Sequence, residues 1–317
     1  MKRPLIILTG PTAVGKTALS IQLAKAIGGE IISADSMQVY QYMDIGSAKI
    51  RRDEMDGAPH YLVDVLKPEE EFHVVRFQEM AKEAMEKIYA NNHIPIVVGG
   101  TGFYIQALLY DIDFTEQQCD ETYRRQLEDL AREHGAEYLH GILCEVDPAS
   151  AEAIHANNIK RVIRALEFYH LSGKKISEHN ETERQKQSPY NFAYFVLTDE
   201  RAKLYERIDR RVNAMIEAGL VEEVKKLKSM GCSREMVSMQ GLGYKEILAY
   251  LDGGCTLEEA VYIIKRETRH FAKRQLTWFK RERDVIWLDK QAFGYDDAAI
   301  LKDMISILEE KEIISHE

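Results

Sequence analysis

The chain has 317 residues, 45% of them hydrophobic, and a formal net charge of −10. That length can bury one large core or two modest ones, while no window is apolar for long enough to span a membrane. Cys119, Cys144, Cys232 and Cys255 are far apart and form no C-x-x-C pair, so neither a zinc site nor a disulfide framework is indicated, and a reducing cytoplasm fits.

The first residues, MKRP, pass straight into the apolar run PLIILT, so no secretory leader is expected. GPTAVGKT follows at residues 10–17, and then ALSIQLAKAIG, with apolar residues at helical spacing. Strand, loop and helix in that order are the context that the G-x-x-x-x-G-K-[ST] signature requires. Gly10, Pro11, Thr12, Ala13, Val14, Gly15, Lys16 and Thr17 are therefore expected to surround a polyphosphate. The two glycines permit a tight turn that aims backbone N–H groups and a helix N-terminus at an anion; Lys16 adds a point charge, and the Thr17 hydroxyl is available to Mg²⁺. The loop alone leaves open whether a γ-phosphoryl moves or another molecule carries the diphosphate.

The runs GEIISAD, HYLVDVL, IPIVVGG, NFAYFVLT and DVIWLD continue the pattern, separated by helical stretches. This is the rhythm of an α/β protein with a parallel, P-loop NTPase-like sheet flanked by helices. Asp35 closes the first of these runs, Asp64 lies inside the second, and Thr101 follows the third between glycines. Ligands of open α/β sheets sit at the carboxyl ends of the strands, which makes Asp35 a candidate base beside the loop. A metal-holding acid of the kind found in phosphoryl-transfer ATPases is not evident, so the chemistry is expected at an atom other than phosphorus.

Between about 110 and 190 the strand signal stops. DETYRRQLEDLAREHG and NNIKRVIRALEFYHLSGK read as helices closed by Gly135 and Gly173. Residues 115–188 are expected to form an all-helical insertion in a core built from 1–114 and 189–317. Next, residues 199–231 read as one long helical pattern with Leu204, Ile208, Val212 and Met215 on a face, and SMQGLGYKEIL as a tight loop entering a helix. Thr256 and Glu259 then form a capping box. Residues 265–283 hold eight Lys or Arg against Glu267 and Glu282, a local +6. On charge alone this is either a phosphate-contacting surface or the solvated face of a helix whose core stripe includes Trp278 and Phe279. The C-terminal DDAAILKDMISILEEKEIISHE reads as an acidic surface helix that frays.

Taken in order, GPTAVGKT, DSMQVYQYMDIGSAK, PHYLVDV, VVGGTGFYIQAL, KRVIRALE, GLGYKEI and KRQLTWFKR resemble the bacterial tRNA dimethylallyltransferase family nearly end to end. The resemblance implies transfer of a dimethylallyl group from dimethylallyl diphosphate to N6 of adenine 37, in the anticodon loop of tRNAs that read codons beginning with U. It makes Asp35 the general base, places Thr101 between the two substrates, and has Lys16, Arg211 and Mg²⁺ on Thr17 hold the leaving diphosphate. The same resemblance implies tRNA contacts by Asp35, Ser36, Met37, Gln38, Thr101 and Arg124; by Lys160, Arg161, Val162, Ile163 and Arg164 in the insertion; by Gln240, Gly241, Leu242, Gly243, Tyr244 and Lys245; and by Lys273, Arg274, Gln275, Trp278 and Lys280. The implied partners are a tRNA anticodon stem-loop and the prenyl diphosphate, with no membrane, and the expected state is a monomer. A small-metabolite kinase, a prenyltransferase acting on free adenine nucleotides and a non-catalytic RNA-binding module are the rival readings, distinguishable by ADP formation and by which acceptor becomes labelled.

Overall fold

The computed structural model describes residues 2–114 and 120–315; Cys119 and residue 115, the expected first residue of the insertion, lie outside them. The chain divides into two compact units, one made of residues 1–109 and 189–317 and the other of residues 110–188.

The first unit begins with β1 (Arg3–Thr9), α1 (Lys16–Ile27), β2 (Gly29–Ala34), β3 (His60–Tyr61), α2 (Val74–Ala90), β4 (Ile94–Gly99) and α3 (Gly102–Leu109). The second unit contains α4 (Glu121–His134), α5 (Ala136–Val146), α6 (Pro148–Ala153), α7 (Ile159–Ser172) and α8 (Ile176–Gln185). The chain then re-enters the first unit through β5 (Tyr190–Thr198), α9 (Arg201–Glu217), α10 (Leu220–Ser229), α11 (Tyr244–Leu251), α12 (Leu257–Phe279), β6 (Val285–Asp289) and α13 (Asp297–Glu310).

The six strands form one parallel sheet in the order β3-β2-β4-β1-β5-β6. Central parallel strands are covered on both faces, and their sequences are accordingly apolar without alternation. Leu5, Ile6, Ile7 and Leu8 of β1 are fully buried, as are Tyr194, Phe195, Val196 and Leu197 of β5.

Three expectations change. HYLVDVL does not continue as a strand: β3 has only two residues, Leu62 and Asp64 take positive φ (61° and 60°), and Asp64 lies outside it. The run leaves the sheet because its backbone pairs with the segment after β2, through Asp64 N–H to the Gln38 carbonyl (3.0 Å) and Val65 N–H to that of Val39 (2.8 Å). The long pattern over 199–231 is two helices, broken at Ala218–Gly219, where Gly219 adopts φ 101°. Finally, α13 is anchored: Ile300, Met304 and Leu308, spaced at four residues, are fully buried in the core that also holds Leu19 and Leu23 of α1. The Thr256–Glu259 capping box forms as its sequence implies.

The second unit has its own core of Leu127, Leu139, Leu143, Val162, Ile163 and Leu166. Buried Asp147 ties the starts of α6 and α8 together by accepting from the N–H and hydroxyl groups of both Ser150 and Ser177. Among the described residues, no helix is long and apolar enough to cross a membrane.

Candidate active site

Three neighbouring strands deliver the site. β1 ends in the 10–17 loop, β2 in Asp35, and β4 in the Gly99–Gly100–Thr101 turn. Gly10 has φ 147°, and a Cβ there would stand 2.2 Å from the Leu197 carbonyl oxygen of β5, so the loop can leave the sheet this closely only with glycine. Lys16 folds back over the loop and donates to the carbonyls of Gly10 (2.9 Å) and Pro11 (2.8 Å). Burial draws its ammonium down to about 7; Asp35 opposes that fall and Arg211 adds to it. Burial likewise lowers Arg211, again with Asp35 opposing. An anion arriving here would relieve both cations.

One oxygen of Asp35 is committed to the local turn, with Oδ1 accepting from the N–H groups of Met37 (2.8 Å) and Gln38 (3.3 Å). The Thr101 N–H donates to the Ala34 carbonyl (3.2 Å), which joins the turn bearing Thr101 to the strand end preceding Asp35. A cavity of about 390 Å³ opens over these strand ends. It is bounded by the loop residues Thr12, Lys16 and Thr17, by Asp35 and Gln38, and by Arg207, Arg210, Arg211, Phe271 and Gln275 from α9 and α12. Asp35 is the one acidic residue among its described lining residues.

Other expected residues occupy varied positions. Ser36, Met37 and Gln38 are half-buried beside Asp35, and Gln38 Nε2 donates to the Ala48 carbonyl (3.2 Å). Lys273 and Arg274 of α12 and Lys280 just after it are exposed, whereas Gln275 is 6% exposed and Phe279 fully buried. Trp278 is half-buried. Gln240 is exposed, Gly241, Leu242 and Lys245 are half-buried, and Gly243 and Tyr244 are buried. The Tyr244 hydroxyl donates to Glu223 Oε1 (2.8 Å) and accepts from Ser47 N–H (3.1 Å), so its side chain is a strut. Within the second unit Lys160 and Arg161 are exposed and Arg164 half-buried, while Val162 and Ile163 turn into the core. Arg124, which the resemblance offers to tRNA, forms two hydrogen bonds with the fully buried carboxylate of Glu167 (2.8 and 2.7 Å).

Two devices carry no motif. Arg207 donates to the Ala13 carbonyl (3.0 Å) and to Asp199, bracing the loop from α9. Glu223 of α10 accepts the successive N–H groups of Asp44 (2.9 Å), Ile45 (2.8 Å) and Gly46 (3.1 Å), pinning the segment that follows Asp35. The spacing of Arg207 and Arg211, one helical turn apart and flanking the Leu204–Ile208–Val212 stripe, is the sequence signal that could have found the first. Glu223 leaves none, because its partners are backbone.

The IPP transferase family model matches residues 38–282. A tRNA dimethylallyltransferase of Lachnoclostridium phytofermentans is 64% identical over 312 residues, covering 98% of this chain and 99% of its own. Among solved structures, the tRNA isopentenylpyrophosphate transferase of Bacillus halodurans superposes with a TM-score of 0.74 at 45% identity, covering 98% of both chains. A eukaryotic dimethylallyltransferase captured acting on tRNA superposes with a TM-score of 0.82 at 30% identity, covering 99% of this chain and 81% of that one.

Proposed function

Because this chain belongs to the tRNA dimethylallyltransferase (IPP transferase) family, we propose that its cavity joins a dimethylallyl group to N6 of adenine 37 in tRNAs reading codons that begin with U. The supporting observation is a loop of P-loop sequence and, among the described lining residues, a single carboxylate at one cavity, where phosphoryl transfer would use a second acid. Dimethylallyl diphosphate lies with its diphosphate on the loop N–H groups beyond Thr12, whose own N–H is engaged within the protein, and on Lys16 and Arg211. The N6 lone pair forms the new C–N bond as the allylic C–O bond breaks, and the bonding pair departs with diphosphate. Asp35, through the oxygen not used by Met37 and Gln38, accepts the N6 proton, compensating for an amine whose lone pair is delocalised into the ring. Thr101 stands at the strand end between acceptor and donor.

Among the described residues no group of three or more His, Cys, Asp or Glu side chains could hold a metal. The exposed Thr17 hydroxyl suits Mg²⁺, which keeps several waters and takes most of its remaining oxygens from substrate phosphates. When bound there, the ion would stabilise charge developing on the diphosphate.

The adenine leaves the anticodon-loop stack at a cost of about a few kcal/mol. Ser36, Met37 and Gln38 line its route past Asp35, while Lys273, Arg274 and Lys280, with Lys160 and Arg161 of the helical unit, take RNA phosphates. The direct test supplies labelled dimethylallyl diphosphate with unmodified tRNA, AMP and ATP together. Label is expected in tRNA; label in AMP or ATP, or production of ADP, overturns the reading.

A further inference from the structure

Gln275 is buried on α12, within the basic stretch 265–283, and both ends of its carboxamide are engaged within the protein. Its Oε1 accepts from the Thr12 N–H at 2.9 Å, and its Nε2 donates to the Gly100 carbonyl at 2.9 Å. The side chain fits because residue 100 lacks a Cβ, which would stand 2.2 Å from Nε2.

These two partners belong to different strand-end segments of the proposed reaction centre. Thr12 lies in the loop proposed to receive the diphosphate, and Gly100 precedes Thr101, the residue proposed to stand between acceptor and donor. A donor N–H on one side and an acceptor carbonyl on the other require a bridge that both accepts and donates. An uncharged primary amide does this, whereas a lysine has no acceptor and a carboxylate no donor.

We propose that Gln275 is a positioning residue that fixes the spacing between the diphosphate loop and the Thr101 turn, and so aligns the prenyl carbon with the adenine amine. The proposal rests on the prenyl-transfer reading of this cavity. Displacement at carbon needs the attacking nitrogen, the carbon and the departing oxygen nearly in line, and an error of about 1 Å can cost about 10²-fold in rate. Removing the bridge leaves Lys16, Arg211 and most loop N–H groups in place, so the loss should fall on turnover more than on donor binding.

The test uses the full chain with Gln275→Ala and Gln275→Glu. Wild type must first label tRNA; if it does not, the functional reading fails before this proposal is reached. Gln275→Ala is expected to lose about 10²-fold in kcat while dimethylallyl diphosphate affinity changes by less than about threefold. In Gln275→Glu, an ionised carboxylate faces the Gly100 carbonyl without a donor, whereas the protonated acid restores both hydrogen bonds. Its kcat relative to wild type should therefore rise as pH falls.

Lys16, Asp35, Arg207, Arg210 and Arg211 share the cavity, and the four cations favour the ionised form, which moves the recovery toward acid pH. Taking the ratio to wild type removes titrations common to both proteins. A kcat loss under about threefold in Gln275→Ala, a loss wholly explained by donor affinity, or a Gln275→Glu profile parallel to wild type would overturn the proposal. Should the alanine variant not fold, the glutamate variant's pH ratio decides alone.

Discussion

Replacing Asp35 in two ways separates its chemical role from its structural one. Oδ1 accepts from the Met37 and Gln38 N–H groups, and the other oxygen is the one proposed to take the proton of the adenine amine. In Asp35→Asn the carboxamide oxygen keeps the turn while an NH₂ replaces the free oxygen, so basicity is lost without loss of geometry. General-base catalysis contributes about 10²- to 10⁴-fold, and that is the expected fall in single-turnover rate at saturating donor. Thermal midpoint should move by less than about 1 °C.

Asp35→Ala removes the proposed base together with the acceptor of two N–H groups. It should show a similar fall in rate and an added stability loss of about 1 kcal/mol. For a chain of this size that loss lowers the midpoint by roughly 2 °C. Rapid-quench measurement with labelled donor and an anticodon stem-loop gives the rates, titration with inorganic diphosphate gives loop integrity, and calorimetry gives the midpoints. An Asp35→Asn enzyme turning over within about tenfold of wild type would refute the assignment of Asp35 as base.

Lys16→Ala should weaken inorganic diphosphate binding by about 10- to 100-fold, as expected for removal of a charge-assisted contact, measured by isothermal titration. Single alanine substitutions of Lys160, Arg161, Lys273 and Arg274 should each reduce the slope of log tRNA affinity against log salt by roughly 0.7 to 0.9 while leaving dimethylallyl diphosphate affinity unchanged; titrations at several salt concentrations check this. Burial pushes the Glu282 carboxyl up from 4.5 to about 7 against the pull of Arg283. The folded state therefore retains a proton that the unfolded chain gives up, and ionisation costs stability progressively as pH rises from about 4.5 to 7. Glu282→Gln should be more stable than wild type at pH 8 by up to about 3 kcal/mol and equal to it near pH 4.5, as read by urea unfolding at both values.

What was legible in the chain was local. The 10–17 loop between a strand and a helix, the Thr256–Glu259 box and the glycine stops after His134 and Ser172 each depend on residues within one or two turns. HYLVDVL was misleading because an apolar run reports burial rather than hydrogen-bond partner, and this one pairs with the 38–41 backbone instead of extending the sheet. Acidic residues on α13 concealed its apolar stripe of Ile300, Met304 and Leu308. Site residues at strand ends could be found from the order of runs, whereas the contact between Gln275 and Thr12 spans 263 residues and follows no periodicity. Charge counting likewise gave α12 its exposed cations and could not separate them from the buried amide of Gln275.

The order of the strands also matters while the protein is being synthesised. β1 pairs with β4 on one side and with β5 on the other, but β5 is translated only after the whole of 110–188 has been made. Until then β1 is the edge of a four-stranded sheet, with the buried residues Leu5 to Leu8 in a strand whose second row of backbone groups has no partner. The outer cover of α1 comes later still, with Ile300, Met304 and Leu308. The helical unit can fold on the ribosome from contacts within 79 successive residues, whereas the sheet remains a nascent chain in search of its last two strands. A pause or truncation between residues 188 and 285 would release an adhesive half-sheet, and chaperone demand during expression should peak in that window.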